Sequence, residues 1–187
     1  MVGVTLIEPR RFADERGWFT EVYSERAFAE RGITVRFVQD NHSLSVSVGT
    51  VRGLHFQTPP HGQAKLVRCI RGRVFDVAVD VRRGSPTLGR WVGAELSADN
   101  GRQLYVPIGF AHGFMTLEPN TEITYKVSDV YSPAEDGGVR WDDPAIGIEW
   151  PTLPGVTPTL SPKDERLPSL GEFDSPFDYD GIPLSPL

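Results

Sequence analysis

The sequence predicts a mostly β fold, a closed barrel or sandwich of short strands with short peripheral helices. Nineteen glycines and 16 prolines in 187 residues are many for a helical protein, because both residues interrupt helices and mark turns. Up to about Trp150 the chain alternates or runs apolar in short stretches. Turn signals divide these stretches: Arg71-Gly72, Arg83-Gly-Ser-Pro86, Ala98-Asp-Asn-Gly101, Pro107-Ile-Gly109 and Glu118-Pro-Asn120. Strands so short and so regularly spaced fit an architecture that protects its sheet edges.

Taken in order, the first readable element is a helix. Ser24 caps it, Glu25 to Arg31 carry it with Phe28 as its packing residue, and Gly32 ends it. Lys65 to Ile70, Gln103 to Val106 and Thr121 to Val127 read as strands. The clearest strand is Val74 to Val81. Phe75, Val77, Val79 and Val81 fall on one of its faces; Val74, Asp76, Ala78 and Asp80 fall on the other. After Trp150, Pro, Ser and Thr become frequent. The expectation there is an ordered wrapping segment and then a loose C-terminal tail over about 171–187, with the whole of 1–187 forming one domain.

The formal charge of −6 disfavours a general nucleic-acid surface but leaves room for a local Arg and Lys pocket that takes an anionic small ligand. Cys69 is the single cysteine, so no intrachain disulfide can form, which suits the cytoplasm. No long apolar stretch precedes the first charges, and neither a signal peptide nor a membrane span is expected.

Four histidines are available for chemistry: His42, His55, His61 and His112. Pro107, Gly109 and His112 give the P-x-G-x-x-H pattern of the second cupin motif, a turn that leads a histidine into a barrel. The first cupin motif carries H-x-H, whereas this chain reads His55-Phe-Gln57. A catalytic metal wants about three protein ligands and an open position, so the sequence predicts no metal. His55 lies among Arg52, Gln57, Gln63 and Lys65, a set that is costly to bury without a polar ligand. Lys65 in a barrel either pairs with an acid or stabilises developing negative charge; a solvent-facing strand lysine is the alternative. Strict alternation puts His55 and Gln57 on one face and Arg52 on the other, unless Gly53 bulges. Tyr125 and Tyr131, six apart, share a face of an unbroken strand, either as core aromatics or as weak acids able to return a proton to an enolate. Lys163 and Asp164 read as a surface turn, although an Asp beside a His would orient its imidazole.

Taken together these segments resemble the dTDP-4-dehydrorhamnose 3,5-epimerase family. The resemblance rests on Asp14-Glu-Arg-Gly-Trp-Phe19 with Glu21, Gln39-Asp-Asn-His-Ser43, Arg52-Gly-Leu-His-Phe-Gln57, Gln63-Ala-Lys65 and Phe75-Asp-Val-Ala-Val-Asp80. It continues through Pro107-Ile-Gly-Phe-Ala-His-Gly-Phe114, Glu122-Ile-Thr-Tyr-Lys126, Tyr131-Ser-Pro133, Trp141-Asp-Asp-Pro144 and Leu160-Ser-Pro-Lys-Asp164. Ten segments in order, from about Leu6 to Leu170, carry far less risk of coincidence than any one alone. The resemblance implies a double-stranded β-helix barrel, a cupin-like jelly roll. It also implies a cofactor-free epimerase that converts dTDP-4-keto-6-deoxy-D-glucose to dTDP-4-keto-L-rhamnose.

By the same resemblance His55 is the general base, supported by Asp164; Lys65 stabilises the enolate oxygen; Tyr125 delivers a proton from the opposite face. Arg16, Phe19, Glu21, Gln39, Asn41, Arg52, His112 and Lys163 match positions that hold the nucleotide-sugar, and Tyr131 is a neighbouring pocket residue. A homodimer in which the N-terminal region completes the partner's site is implied as well. One departure stands out: the family often has a glutamate about five residues before the Trp141 position, where this chain has Asp136 beside Glu135. Competing readings are an epimerase inverting one centre of a related sugar, a metal-dependent cupin enzyme, and a non-catalytic sugar-nucleotide-binding barrel.

Overall fold

The computed structural model of the chain describes residues 2–187. One sheet runs in the order β1 (Thr5–Ile7), β9 (Gln103–Val106), β6 (Lys65–Arg71), β11 (Thr121–Val127), β4 (Gln39–Ser45). The other runs β12 (Asp136–Gly138), β5 (Val51–Gln57), β10 (Phe110–Thr116), β7 (Arg73–Asp80), β8 (Trp91–Ser97). A separate hairpin pairs β2 (Arg11–Asp14) with β3 (Gly17–Thr20). Every strand pair is antiparallel. This is the mostly β architecture that the turn spacing predicts.

The alternation of β7 explains how the layers assemble. Val74 and Ala78 point between the sheets and pack with Val67, Leu104, Phe110, Phe114 and Ile123. Val77, Val79 and Val81 point outward into a second cluster with Leu54, Phe56 and Ala111. Ile146, Trp150, Phe173 and Phe177, from beyond the last strand, cover that outer face. The first sheet is covered in turn by Ile33, Phe28, Val35 and Phe37, which pack on Leu66 and Tyr105. Each sheet thus carries packing on both faces, although β4 at the edge of the first keeps Leu44 half exposed.

Two sequence expectations change in detail. The helix α1 spans Glu25–Ala29, capped as expected by the Ser24 hydroxyl, which accepts from the Ala27 N–H at 3.4 Å. It stops short of Arg31 because the chain tightens: the Gly32 N–H bonds to the Ala29 carbonyl, and Gly32 takes φ +84°. The expected loose tail over 171–187 is packed. Phe173 and Phe177 seat on Phe56, Asp180 accepts from the buried Arg82 at 2.6 Å, and the Leu184 N–H donates to Thr87. Its apolar residues, spaced by prolines and acids, match the uncovered face of β7, and that complementarity is invisible in local composition. Among the described residues no helix is long and apolar enough to cross a membrane.

Candidate active site

A cleft of about 370 Å³ opens between the two sheets. Its walls come from both: Arg52, His55, His112 and Phe114 from the second sheet, Ser43, Lys65 and Tyr125 from the first. The segment Thr159–Asp164 closes one side. Arg52 reaches the same cleft as His55 because β5 bulges. His112 pairs with His55 and Phe114 with Arg52, so Gly53 and Leu54 of β5 stand opposite the single Gly113 of β10. The extra residue turns Arg52 onto the interior face, as the Gly53 alternative allows. Gly53 has φ +122°, and a Cβ there would meet the Gly113 Cα at 2.6 Å and the His112 carbonyl at 2.7 Å. Only glycine fits this crossing of strands.

His55 and Asp164 form a dyad. The ring Nε2 lies 2.6 Å from Asp164 Oδ1, and the Gly53 N–H approaches Oδ2 at 3.4 Å. The turn that carries Asp164 is fixed by its own N–H, which bonds to the Ser161 hydroxyl at 3.1 Å. Burial pushes the His55 imidazole below its ordinary pKa, outweighing the pull of Asp164 in the other direction. Burial alone would lift the Asp164 carboxyl, but the hydrogen bond and charge of His55 and the Gly53 N–H hold it below the usual range. A neutral imidazole beside an ionised carboxylate is the resting state of a general base. With Nε2–H donating to Asp164, the lone pair sits on Nδ1.

Lys65, 7% exposed, donates from Nζ to the His55 backbone carbonyl at 3.1 Å. Burial lowers its pKa to about 8. Tyr125 sits across the cleft on β11, and burial raises its phenol above the ordinary value, so it keeps its proton at neutral pH. His112 Nε2 lies 2.9 Å from Asp76 Oδ1 on neighbouring β7. Base and phenol thus stand on opposite sheets of one cleft, with a cation beside the base.

Comparison with known proteins places this geometry. The family described as dTDP-4-dehydrorhamnose 3,5-epimerase matches residues 1–172 of the chain. A relative of that name from Sinorhizobium fredii is 59% identical over 176 residues, 94% of this chain and 89% of its own. The chain belongs to the dTDP-4-dehydrorhamnose 3,5-epimerase family. Among solved structures, the enzyme of that name from Bacillus anthracis, with TDP and PPi bound, has a TM-score of 0.85 at 51% identity, over 89% of this chain and 93% of that one. A dTDP-6-deoxy-D-glucose-3,5-epimerase from Legionella pneumophila, in complex with dTDP-4-keto-L-rhamnose, has a TM-score of 0.86 at 45% identity, over 91% and 89%. These relatives share the two-sheet barrel and identify the chain as an epimerase-family isomerase.

Within this epimerase barrel the remaining predicted residues fall into three groups. Lys163 lines the cleft and is held by Asp136, which also accepts from the Tyr131 hydroxyl at 3.0 Å. Tyr131 itself is exposed and lies at the rim, outside the cleft lining. Gln39 and Asn41 follow the interior face of β4, where Asn41 pairs in register with Tyr125 and accepts from Gln39 at 2.8 Å. Arg16, Phe19 and Glu21 stand apart, on or just after the β2–β3 hairpin. Arg16 bonds Asp14 at 2.6 Å, and Phe19 is 69% exposed. None of the three lines the cleft of its own chain. Gln57 is a scaffold residue: its side chain bonds the His61 and Val130 carbonyls and the Ser132 N–H, anchoring the loop that carries Tyr131. Sequence reasoning missed Asp76 as a partner of His112. The signal was present, since an acid on the inward face of an apolar strand must find a polar partner.

Proposed function

We propose that the chain, acting as one domain over 1–187, is a dTDP-4-dehydrorhamnose 3,5-epimerase that converts dTDP-4-keto-6-deoxy-D-glucose to dTDP-4-keto-L-rhamnose. The observation that carries this reading is the placement of His55 and Tyr125 on opposite sheets of the cleft, with Lys65 beside them. Inversion at carbon needs exactly those positions filled, because a proton must leave one face of the sugar and another must arrive on the opposite face. The C4 ketone acidifies the neighbouring C–H bonds. His55 takes the proton on Nδ1, and the electron pair moves into an enolate whose oxygen meets the Lys65 ammonium. Asp164 stabilises the imidazolium that results. Tyr125 then delivers its phenolic proton to carbon from the other side and is reprotonated from solvent, while His55 gives up to solvent the proton it took. No electron leaves the substrate, and the reaction as written uses no redox cofactor.

Arg52, His112 and Lys163 supply cationic or donor groups for the diphosphate and sugar; Gln39 and Asn41 extend that wall. Arg16, Phe19, Glu21 and Tyr131 complete the nucleotide side. The hairpin residues would do so across a homodimer, reaching a second copy's cleft, and the address is cytoplasmic. The test is solvent deuterium entering dTDP-4-keto-6-deoxy-D-glucose, followed by mass spectrometry, with His55→Ala as control. Two exchanged positions, lost in the variant, are expected. One exchanged position would make the chain a single-centre epimerase, and none in the wild type would overturn the substrate assignment.

A further inference from the structure

Asp76 lies on the interior face of β7 and is 0% exposed. One carboxylate oxygen faces His112 Nε2 at 2.9 Å. The other, Oδ2, is buried without a hydrogen-bond partner among the described residues. A buried carboxylate left half unsatisfied destabilises a fold, so a requirement other than packing has to account for it. Lys65, on β6 of the other sheet, is also buried and spends one of its three N–H donors on the carbonyl of His55, the residue paired in register with His112. Burial draws that ammonium towards deprotonation, and Asp76 is the strongest charge acting the other way. Asp136 on β12 also favours the cation, whereas Lys163, ahead of the turn that carries Asp164, opposes it. Arg52 and His55 on β5, His112 on β10, Tyr125 on β11 and Asp164 complete the titratable and charged lining of the same cleft.

We propose that Asp76 is a positioning residue whose carboxylate fixes the His112 ring and keeps Lys65 cationic, so that the anion-stabilising half of the cleft is charged before substrate arrives. The proposal rests on the epimerase reading for its catalytic meaning. Its physical content is a through-space coupling between β7 and β6 that does not depend on the substrate. With Nε2 turned to Asp76, only Nδ1 of His112 is left for a ligand. A preformed cation costs no reorganisation when negative charge appears on the enolate oxygen. Without Asp76, a lysine this enclosed would lose its proton inside the working pH range.

The test uses the full chain, whose only lysines are Lys65, Lys126 and Lys163. Selective carbon-13 labelling of lysine therefore gives a small set of side-chain signals to titrate by NMR, assigned with Lys126→Gln and Lys163→Gln. Asp76→Asn keeps the size and a carbonyl that accepts from His112, and removes the charge. The Lys65 midpoint is expected to fall from about 8 by about one pH unit. In kcat/KM this reads as a loss of about fivefold at pH 8 and less than about twofold at pH 6, following the protonated fraction. A residue with a purely structural role would lower activity by the same factor at both pH values. An unmoved Lys65 midpoint in a folded Asp76→Asn protein overturns the proposal. Should that variant not fold, Asp76→Ala leaves space for formate: formate, but not formamide, should raise the Lys65 midpoint, and equal effects of the two would overturn the coupling. The titration needs no substrate, so a wild-type protein inactive on the nucleotide-sugar would refute the epimerase reading and leave the Asp76–Lys65 result to be read separately.

Discussion

At the scale of single residues, the pH dependence of the site follows from three neighbours with displaced pKa values. His55 must be neutral to act, and burial holds it below its ordinary value of 6.5. Activity should therefore rise through an acid limb lying below pH 6.5. Lys65 must be charged and titrates near 8, whereas the Tyr125 phenol is raised above 10.0. The alkaline limb thus belongs to Lys65, and a bell-shaped kcat/KM profile is expected between the two. Asp164→Asn removes the charge that raises His55, so the acid limb should move to lower pH while kcat falls by about 10²–10⁴-fold. Steady-state rates across pH check both effects; an acid limb that stays in place would show that Asp164 does not act through His55. Tyr125→Phe separates the two proton transfers. His55 can still remove a proton and return one to the same face, so deuterium exchange should persist while inversion falls by about 10²–10⁴-fold. NMR resolves exchange without inversion from loss of both, and loss of both would make Tyr125 part of the deprotonation step.

At the scale of elements, the strands were legible, and of the interruption at Gly53 only the possibility was. Gln103–Val106 and Thr121–Val127 end where the sequence places them, because apolar alternation and turn residues agree there. The two faces of β7 were readable for the same reason, since a period of two is a local property. Alternation alone sends Arg52 away from His55; the bulge that reverses this depends on β5 and β10 crossing at Gly53 and Gly113, which are 60 residues apart by their numbers. The His55–Asp164 pair has the same origin, a contact between a strand and a distant turn, whereas for His112–Asp76 the strand pattern signals that Asp76 needs a polar partner without saying which. His55, Lys65 and Tyr125 were placed by family resemblance, with their chemistry consistent but not decisive on its own. The bulge yields a prediction at its own scale. Gly53→Ala puts a methyl 2.6 Å from the Gly113 Cα in a left-handed conformation. It should destabilise the protein by about 1–3 kcal/mol in denaturant unfolding. Displacement of both Arg52 and His55 should lower kcat and raise KM together. A fully active, wild-type-stable Gly53→Ala protein would mean that the bulge is not needed to aim the two side chains.

At the scale of the whole molecule, the C-terminal segment contributes to stability without lining the cleft. The cleft draws on residues no later than Asp164, and the family match ends at 172. Beyond that point the chain still contributes to folding. Phe177 packs edge-on to Phe56 with ring centres 5.5 Å apart and lies 5% exposed in the outer cluster. Asp180 shares the buried Arg82 with Asp80, and the Ser175 hydroxyl bonds the Val81 carbonyl. Arg82 is also stacked over the Phe110 ring at 4.3 Å, at the start of the strand that carries His112, so loss of the tail would loosen the frame under the site before it touched the site. Phe177→Ala should cost about 3–5 kcal/mol, the usual range for a buried phenylalanine. Removal of residues 173–187 should cost more, since it also leaves Arg82 with one carboxylate instead of two. At low temperature, where the truncated chain remains folded, kcat should stay within about threefold of the full chain, because no side chain of the cleft is lost; each 1.4 kcal/mol of lost barrier stabilisation would show as about tenfold. Thermal unfolding and initial rates measured on the same samples separate the two effects. A truncated protein of unchanged Tm would show that the C-terminal segment rests on the barrel without supporting it, and a folded one without activity would place part of the catalytic machinery in the tail.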